Sequence, residues 1–240
     1  KVEDMSEQHS EILADVDLAD AAPPATAAVA VASGYGLTHA LRSLGIRVVG
    51  GGQTDNPSVQ DIADAVRSVG ADSVIVMPNN KNIVMAAERV AELVPDKTVR
   101  VLPTRTLGQG LAASVVFNEG MDVDEALSEM QQAADGAVTL EVTTASRDVE
   151  LDGVAVREGQ AIGLADGVLV VAHDDPDECL LALLDGKADS YDIASLFHNV
   201  DVAPERAEAV VERIAERYPD LEVEVHSGAP DLYAYLAVLE

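Results

Sequence analysis

The sequence predicts an α/β protein of two lobes, a parallel Rossmann-like four-stranded lobe followed by a mixed α+β lobe. Three observations lead there. Over residues 25–118, short and almost wholly apolar runs alternate four times with stretches whose apolar residues fall at helical spacing. Such alternation means parallel βαβ units with right-handed crossovers. The runs are apolar at nearly every position, as strands covered on both faces require. From residue 119 the pattern changes to period-two alternation broken by Asp-Gly pairs, which reads as hairpins in a mixed sheet.

Residues 1–24 are polar and acidic, and Ala21-Ala-Pro-Pro-Ala25 stops any helix there. They read as the tail of a preceding domain and a linker. The first strand is Ala28–Ser33, followed by Gly34-Tyr35-Gly36 and a helix with Leu37, Ala40, Leu41 and Leu44 on one face. Ile46–Val49 is the second strand. Three glycines at 50–52 and a polar row from Gln53 to Asn56 come next. Either Asn56 caps the following helix, with Pro57 as its first residue, or Ser58 does, with Asp61 closing a capping box. That helix buries Val59, Ile62, Val66 and Val69. The third strand, Ser73–Met77, runs through Pro78-Asn-Asn-Lys-Asn82 into a helix with Ile83, Ala86, Ala87, Val90 and Val94 inside. The fourth, Thr98–Leu102, runs through Pro103–Gly110 into Leu111–Phe117.

The second lobe, 119–240, opens with a helix capped by Asp122. Hairpin-like turns are expected at Asp152-Gly153 and Asp166-Gly167. A helix over about 176–185, a strand Tyr191–Phe197, a helix over about 204–218, a strand Leu221–His226 and a last strand within Leu232–Leu239 complete the chain.

Hydrophobic residues make up 48% of the 240, yet aromatics only 3%, with no Trp. The core is therefore Val, Ala, Leu and Ile. The formal net charge is −28, from 43 acidic and 15 basic residues. No basic face offers itself to nucleic acid, and the surplus repels anionic membranes. It reads as a solvating surface. Cys179 is the single cysteine, no apolar run is long enough to cross a membrane, and the chain opens at Lys1 in mid-pattern. The expectation is a fragment of a longer cytoplasmic protein.

In parallel sheets, ligand groups gather beyond the carboxyl ends of the strands. The loops there supply Ser33, Tyr35, Gly51, Gly52, Gln53, Thr54, Asn56, Asn79, Asn80, Lys81, Thr104, Arg105, Thr106 and Gln109. As a set they suit an anionic group or a polar partner surface; singly, each is an ordinary cap. The recognition reading expects Gln53, Thr54, Asn79, Asn80, Thr104 and Arg105 in one surface patch. Catalytic and metal-ligating residues are not expected. There is no phosphate-binding Gly-x-x-x-x-Gly-Lys-[Ser/Thr], and Gly34-Tyr-Gly36 lacks the third glycine of a dinucleotide fingerprint. The acids at 174–178 lack the spacing of a calcium loop.

Four motifs occur in order: Gly-Gly-Gln-Thr-x-Asn-Pro-Ser (51–58), Pro-Asn-Asn-Lys-Asn (78–82), Pro-Thr-x-Thr-x-x-Gln-Gly-Leu (103–111) and His-x-Gly-x-x-x-Leu-Tyr-x-Tyr-Leu (226–236). With them the chain resembles the C-terminal region of the bacterial fatty acid kinase A subunit, in a dihydroxyacetone-kinase-like, DegV-associated family. The resemblance implies a DegV-like fold. It also implies that a separate N-terminal domain binds ATP and magnesium, with no cofactor in this region. That domain would phosphorylate a fatty acid carboxylate held by an acyl-carrying, DegV-like B subunit, for phospholipid synthesis. The present region would engage the B subunit without being catalytic. Two other readings stand beside this one: a small-ligand domain for an anion or acyl phosphate at the strand edge, using Lys81 and Arg105, and a homodimerisation domain.

Overall fold

The computed structural model describes residues 24–50, 56–151 and 153–240. Strands β1 (Thr26–Val31), β2 (Arg47–Val49), β3 (Ser73–Met77) and β4 (Thr98–Val101) form a parallel sheet in the order β2-β1-β3-β4. The helices that follow them are α1 (Tyr35–Ser43), α2 (Val59–Ser68), the short pair α3 (Val84–Glu88) and α4 (Val90–Leu93), and α5 (Leu107–Val115). The expected single helix over 83–94 is thus split at Arg89, though Ile83, Ala87, Val90 and Val94 all point inward as its spacing required. The cap of α2 is Ser58, not Asn56. Its hydroxyl accepts from the Asp61 N–H, and the Asp61 carboxylate accepts from the Ser58 N–H at 2.8 Å.

After α6 (Val123–Gly136) come β5 (Val138–Thr144), β6 (Val149–Leu151), β7 (Val154–Val156), β8 (Ala161–Ala165), β9 (Val168–His173), α7 (Pro176–Leu184), β10 (Ile193–His198), α8 (Pro204–Arg217), β11 (Glu222–Ser227) and β12 (Tyr233–Leu239). Six of these strands make a mixed sheet in the order β11-β10-β12-β5-β8-β9, while β6 and β7 pair only with each other. The Asp166-Gly167 turn joins antiparallel β8 and β9, as its sequence predicts. Strand β12 lies in the interior of its sheet, between β10 and β5.

Strand periodicity sorts the core into layers. Val29, Val31, Val74 and Val76 face α2, α3 and α4. Ala28, Ala30, Ile75 and Met77 face the other way, onto α1, α5 and α6. Those three helices are covered in turn by Phe197, Leu236 and Val238 of the mixed sheet. Its outer face, with Leu140, Val142, Leu196 and Tyr235, carries α7 and α8. The order is helix, sheet, helix, sheet, helix, and the middle helical layer belongs to both sheets. Among the described residues no helix is long and apolar enough to cross a membrane.

Candidate functional site

The chain leaves β1 through α1 on one face of the parallel sheet and reaches β3 through α2 on the other. Adjacent strands whose connections part to opposite faces leave a crevice beyond their carboxyl ends. A cleft of about 490 Å³ opens there, lined by Ser33 after β1 and Pro78–Asn82 after β3. The mixed sheet closes it with Glu141, Asp166, Leu232 and Tyr233, and Arg105 and Thr106 stand at the start of α5. The two sheets meet at a glycine seam. The Gly36 N–H donates to the Gly228 carbonyl at 2.8 Å. Gly34 has φ +82°, and a Cβ on it would come within 2.5 Å of the Pro230 nitrogen. Only glycine meets both demands.

The predicted rim residues divide into those that hold the fold and those that face the cleft. Asn79 is buried, at φ 54°. Its amide Nδ2 donates to the Val31 carbonyl at 3.0 Å and its Oδ1 accepts from the Thr104 hydroxyl at 2.7 Å, while its N–H donates to that hydroxyl at 3.1 Å. It pins the ends of β1, β3 and β4 together. Asn79 and Thr104 therefore do not lie on a surface patch, which corrects that expectation: their hydrogen-bonding capacity is spent inside. Gly110 makes room for this amide, because a Cβ there would collide with it. Thr106 caps α5, and its hydroxyl also meets that of Thr139 at 2.6 Å. Gln109 accepts from the Arg105 N–H at 2.7 Å, again a capping role. Asn80 accepts from the Asn82 N–H at 2.9 Å in a local turn. Asn56 is exposed ahead of α2. Ser33, Asn80, Lys81 and Arg105 are the predicted residues brought together around the cleft with polar capacity to spare. Gly51, Gly52, Gln53 and Thr54 lie outside the described residues.

Sequence reading passed over Glu141. It sits on β5 with 8% exposure, on the face shared by Thr139 and Thr143. Burial pushes its carboxyl up from the ordinary 4.5, and Asp166 adds to that. A hydrogen bond from Tyr233 and the charge of Lys81 pull the other way without cancelling it. A carboxyl raised on folding binds its proton more tightly in the folded state. Its ionisation therefore costs stability as pH rises from 4.5 toward the higher folded value. We expect E141Q to remove that fall: wild type and variant should converge at acid pH, and the variant should be the more stable at neutral pH. Chemical denaturation at a series of pH values checks this, and parallel curves would refute it. Perturbed groups in a cleft mark candidate functional sites.

On the same edge of the molecule the surface carries exposed apolar side chains. The four most exposed large hydrophobic side chains among the described residues are Tyr35 (77%), Met85 (69%), Val200 (68%) and Leu232 (63%). Tyr35 follows β1, Met85 lies in the first turn of the helix after β3, Val200 follows β10, and Leu232 precedes β12, which is antiparallel to β10. All four thus lie toward the edge where the Gly36–Gly228 seam joins the two sheets. Tyr35 and Met85 sit in first helical turns and Val200 and Leu232 between elements, positions that gave no periodic signal in the sequence. Tyr233 and Leu232 do fall within the 226–236 motif.

Comparison with known proteins agrees with the fold. A family model for C-terminal regions like that of the fatty acid kinase A subunit matches residues 27–240. The protein YloV of Bacillus subtilis is 36% identical over 253 residues, covering all of this chain and 44% of that protein. The chain spans less than half the length of the curated relatives it matches. Among solved structures, a DegV family protein from Corynebacterium glutamicum superposes with a TM-score of 0.64 at 15% identity, over 91% of this chain and 98% of that one. The Streptococcus pneumoniae fatty acid kinase B3 protein, loaded with linoleic acid, superposes with a TM-score of 0.56 at 13% identity, over 77% and 76%. The fold is DegV-like.

Proposed function

We propose a function from one premise: the chain belongs to the family of C-terminal regions like that of the fatty acid kinase A subunit. In this reading it is a non-catalytic docking module. It holds an acyl-carrying, DegV-like B subunit so that a separate domain, with ATP and magnesium, can phosphorylate the fatty acid carboxylate, in the cytoplasm. The single observation that carries the docking step is the rim. The four most exposed apolar side chains among the described residues lie at strand ends on one edge of the molecule, and one of them, Leu232, lines the polar cleft there. Exposed apolar groups gathered in one place, with a polar surround, favour a protein interface, and an aromatic such as Tyr35 is the usual anchor.

The test is a titration of the chain with the acyl-carrying subunit of the same organism, with sedimentation of the chain alone. Saturable binding is expected. Y35A and L232A should each weaken it by roughly 1 kcal/mol or more, as interface anchors do. Thermal stability should move by no more than about 0.5 kcal/mol, as at exposed sites generally. No binding by the wild type refutes the reading. A chain that self-associates through the same two residues establishes the dimerisation domain in its place.

A further inference from the structure

The cleft lining carries both signs of charge, and this goes beyond docking. Lys81 and Arg105 line the cleft and make no ion pair among the described residues. The arginines that do form ion pairs in this acidic protein are matched to carboxylates of their own. Glu141 lines the cleft too, more than nine-tenths buried, held by Tyr233 and with Asp166 beside it. Asp166 is fixed by the Thr139 N–H, which donates to its Oδ1 at 2.9 Å. A volume of about 490 Å³ admits a small molecule and its water.

We propose that this cleft is a binding site for a small zwitterion, its phosphate or carboxylate toward Lys81 and Arg105 and its ammonium toward Glu141 and Asp166. Charge-assisted hydrogen bonds to both ends would orient such a ligand. A simple anion leaves the two carboxylates unanswered. A long acyl chain laid against Glu141 would take water from a carboxyl and return no donor, which is unfavourable in a dry site. The fold is shared with fatty-acid-loaded proteins, but this wall selects a different ligand. The strong negative charge of the whole chain works in the same direction, since it repels a plain anion and leaves a zwitterion indifferent.

The probe is glycerophosphoethanolamine, whose phosphodiester and ammonium charges cancel, titrated into the chain by calorimetry at low ionic strength, with inorganic phosphate, ethylammonium and oleate as comparisons. The expected result is saturable binding at least about tenfold tighter than either half alone, because joining two weak contacts makes the second intramolecular. E141Q should lose about tenfold, and K81Q combined with R105Q should lose at least as much. Lys81 and Arg105 are exposed, so that double variant reports on the ligand even if E141Q alters folding. Equal affinity for inorganic phosphate, absence of saturation, oleate binding in the same cleft, or an unchanged affinity in the double variant would each overturn the proposal. A chain that binds the probe but not the acyl-carrying subunit leaves this site standing and removes only the docking reading.

Discussion

Replacing Asn79 by alanine is expected to destabilise the protein by about 3 kcal/mol, since buried partners left unsatisfied cost about 1–3 kcal/mol. The change removes the amide that joins Val31 to Thr104 and leaves the Val31 carbonyl without its side-chain donor. It also asks alanine to hold φ 54°, a left-handed conformation costing roughly 1–2 kcal/mol that asparagine tolerates better. Denaturant unfolding with an unchanged slope is the measurement. Asn80→Ala is the internal control. Asn80 is half-buried and serves only a local turn, so about 1 kcal/mol or less is expected, the scale of a lost cap. If the two variants proved equally mild, the pin assigned to Asn79 would be wrong.

The second large effect lies on the far face, where α7 and α8 are laced together. Arg206 donates to both oxygens of Asp177, at 3.0 and 2.7 Å, and to both oxygens of Asp175, at 3.1 and 3.0 Å. Asp177 also accepts from the hydroxyl of Tyr235, a fully buried side chain, at 2.7 Å. Glu178–Arg213 and Asp185–Arg217 continue the ladder. Arg206→Ala is expected to cost about 2 kcal/mol, between an exposed pair and a buried one, because the Asp177 carboxylate is largely enclosed and would lose its counter-charge. Burial pushes the Asp175 carboxyl up. The N–H groups of Asp177 and Glu178 and the Arg206 guanidinium outweigh it and hold Asp175 below the ordinary 3.8. A carboxyl lowered on folding gives stability that is full above 3.8 and is lost as pH falls through the lower folded value. The gap between wild type and R206A should therefore be widest at neutral pH and close on acidification below 3.8. A gap that persists unchanged as pH falls well below 3.8 would mean that the loss is packing and not charge.

Much of the fold could be read directly, because apolar strands and helical spacing are local signals. Side-chain direction at strand ends could not. Asn79 and Thr104 read as rim residues since a short polar side chain after a strand looks the same in sequence whether it meets water or folds inward. What turns Asn79 inward is the space at Gly110, on a distant helix. Glu141 was hidden by the opposite error. In an alternating strand the polar positions read as the wet face, but here that face meets the start of α5 and the cleft. The partners of Arg206 sit far back along the chain, on another helix, and no spacing rule reaches them.

The place of β12 has a consequence for synthesis. Chains emerge from the ribosome amino end first, at about 5–20 residues per second, and domains fold as they appear. The parallel sheet has all four strands once residue 101 is out. The mixed sheet does not, because β10 and β5 stay unjoined until the residues of β12, after position 232, are available to lie between them. Until then the middle helices lack Leu236 and Val238 as a cover and present an apolar face to solvent. The interval between those two events is when a nascent chain most needs a chaperone, and shortening β12 should harm yield in cells before it harms anything else.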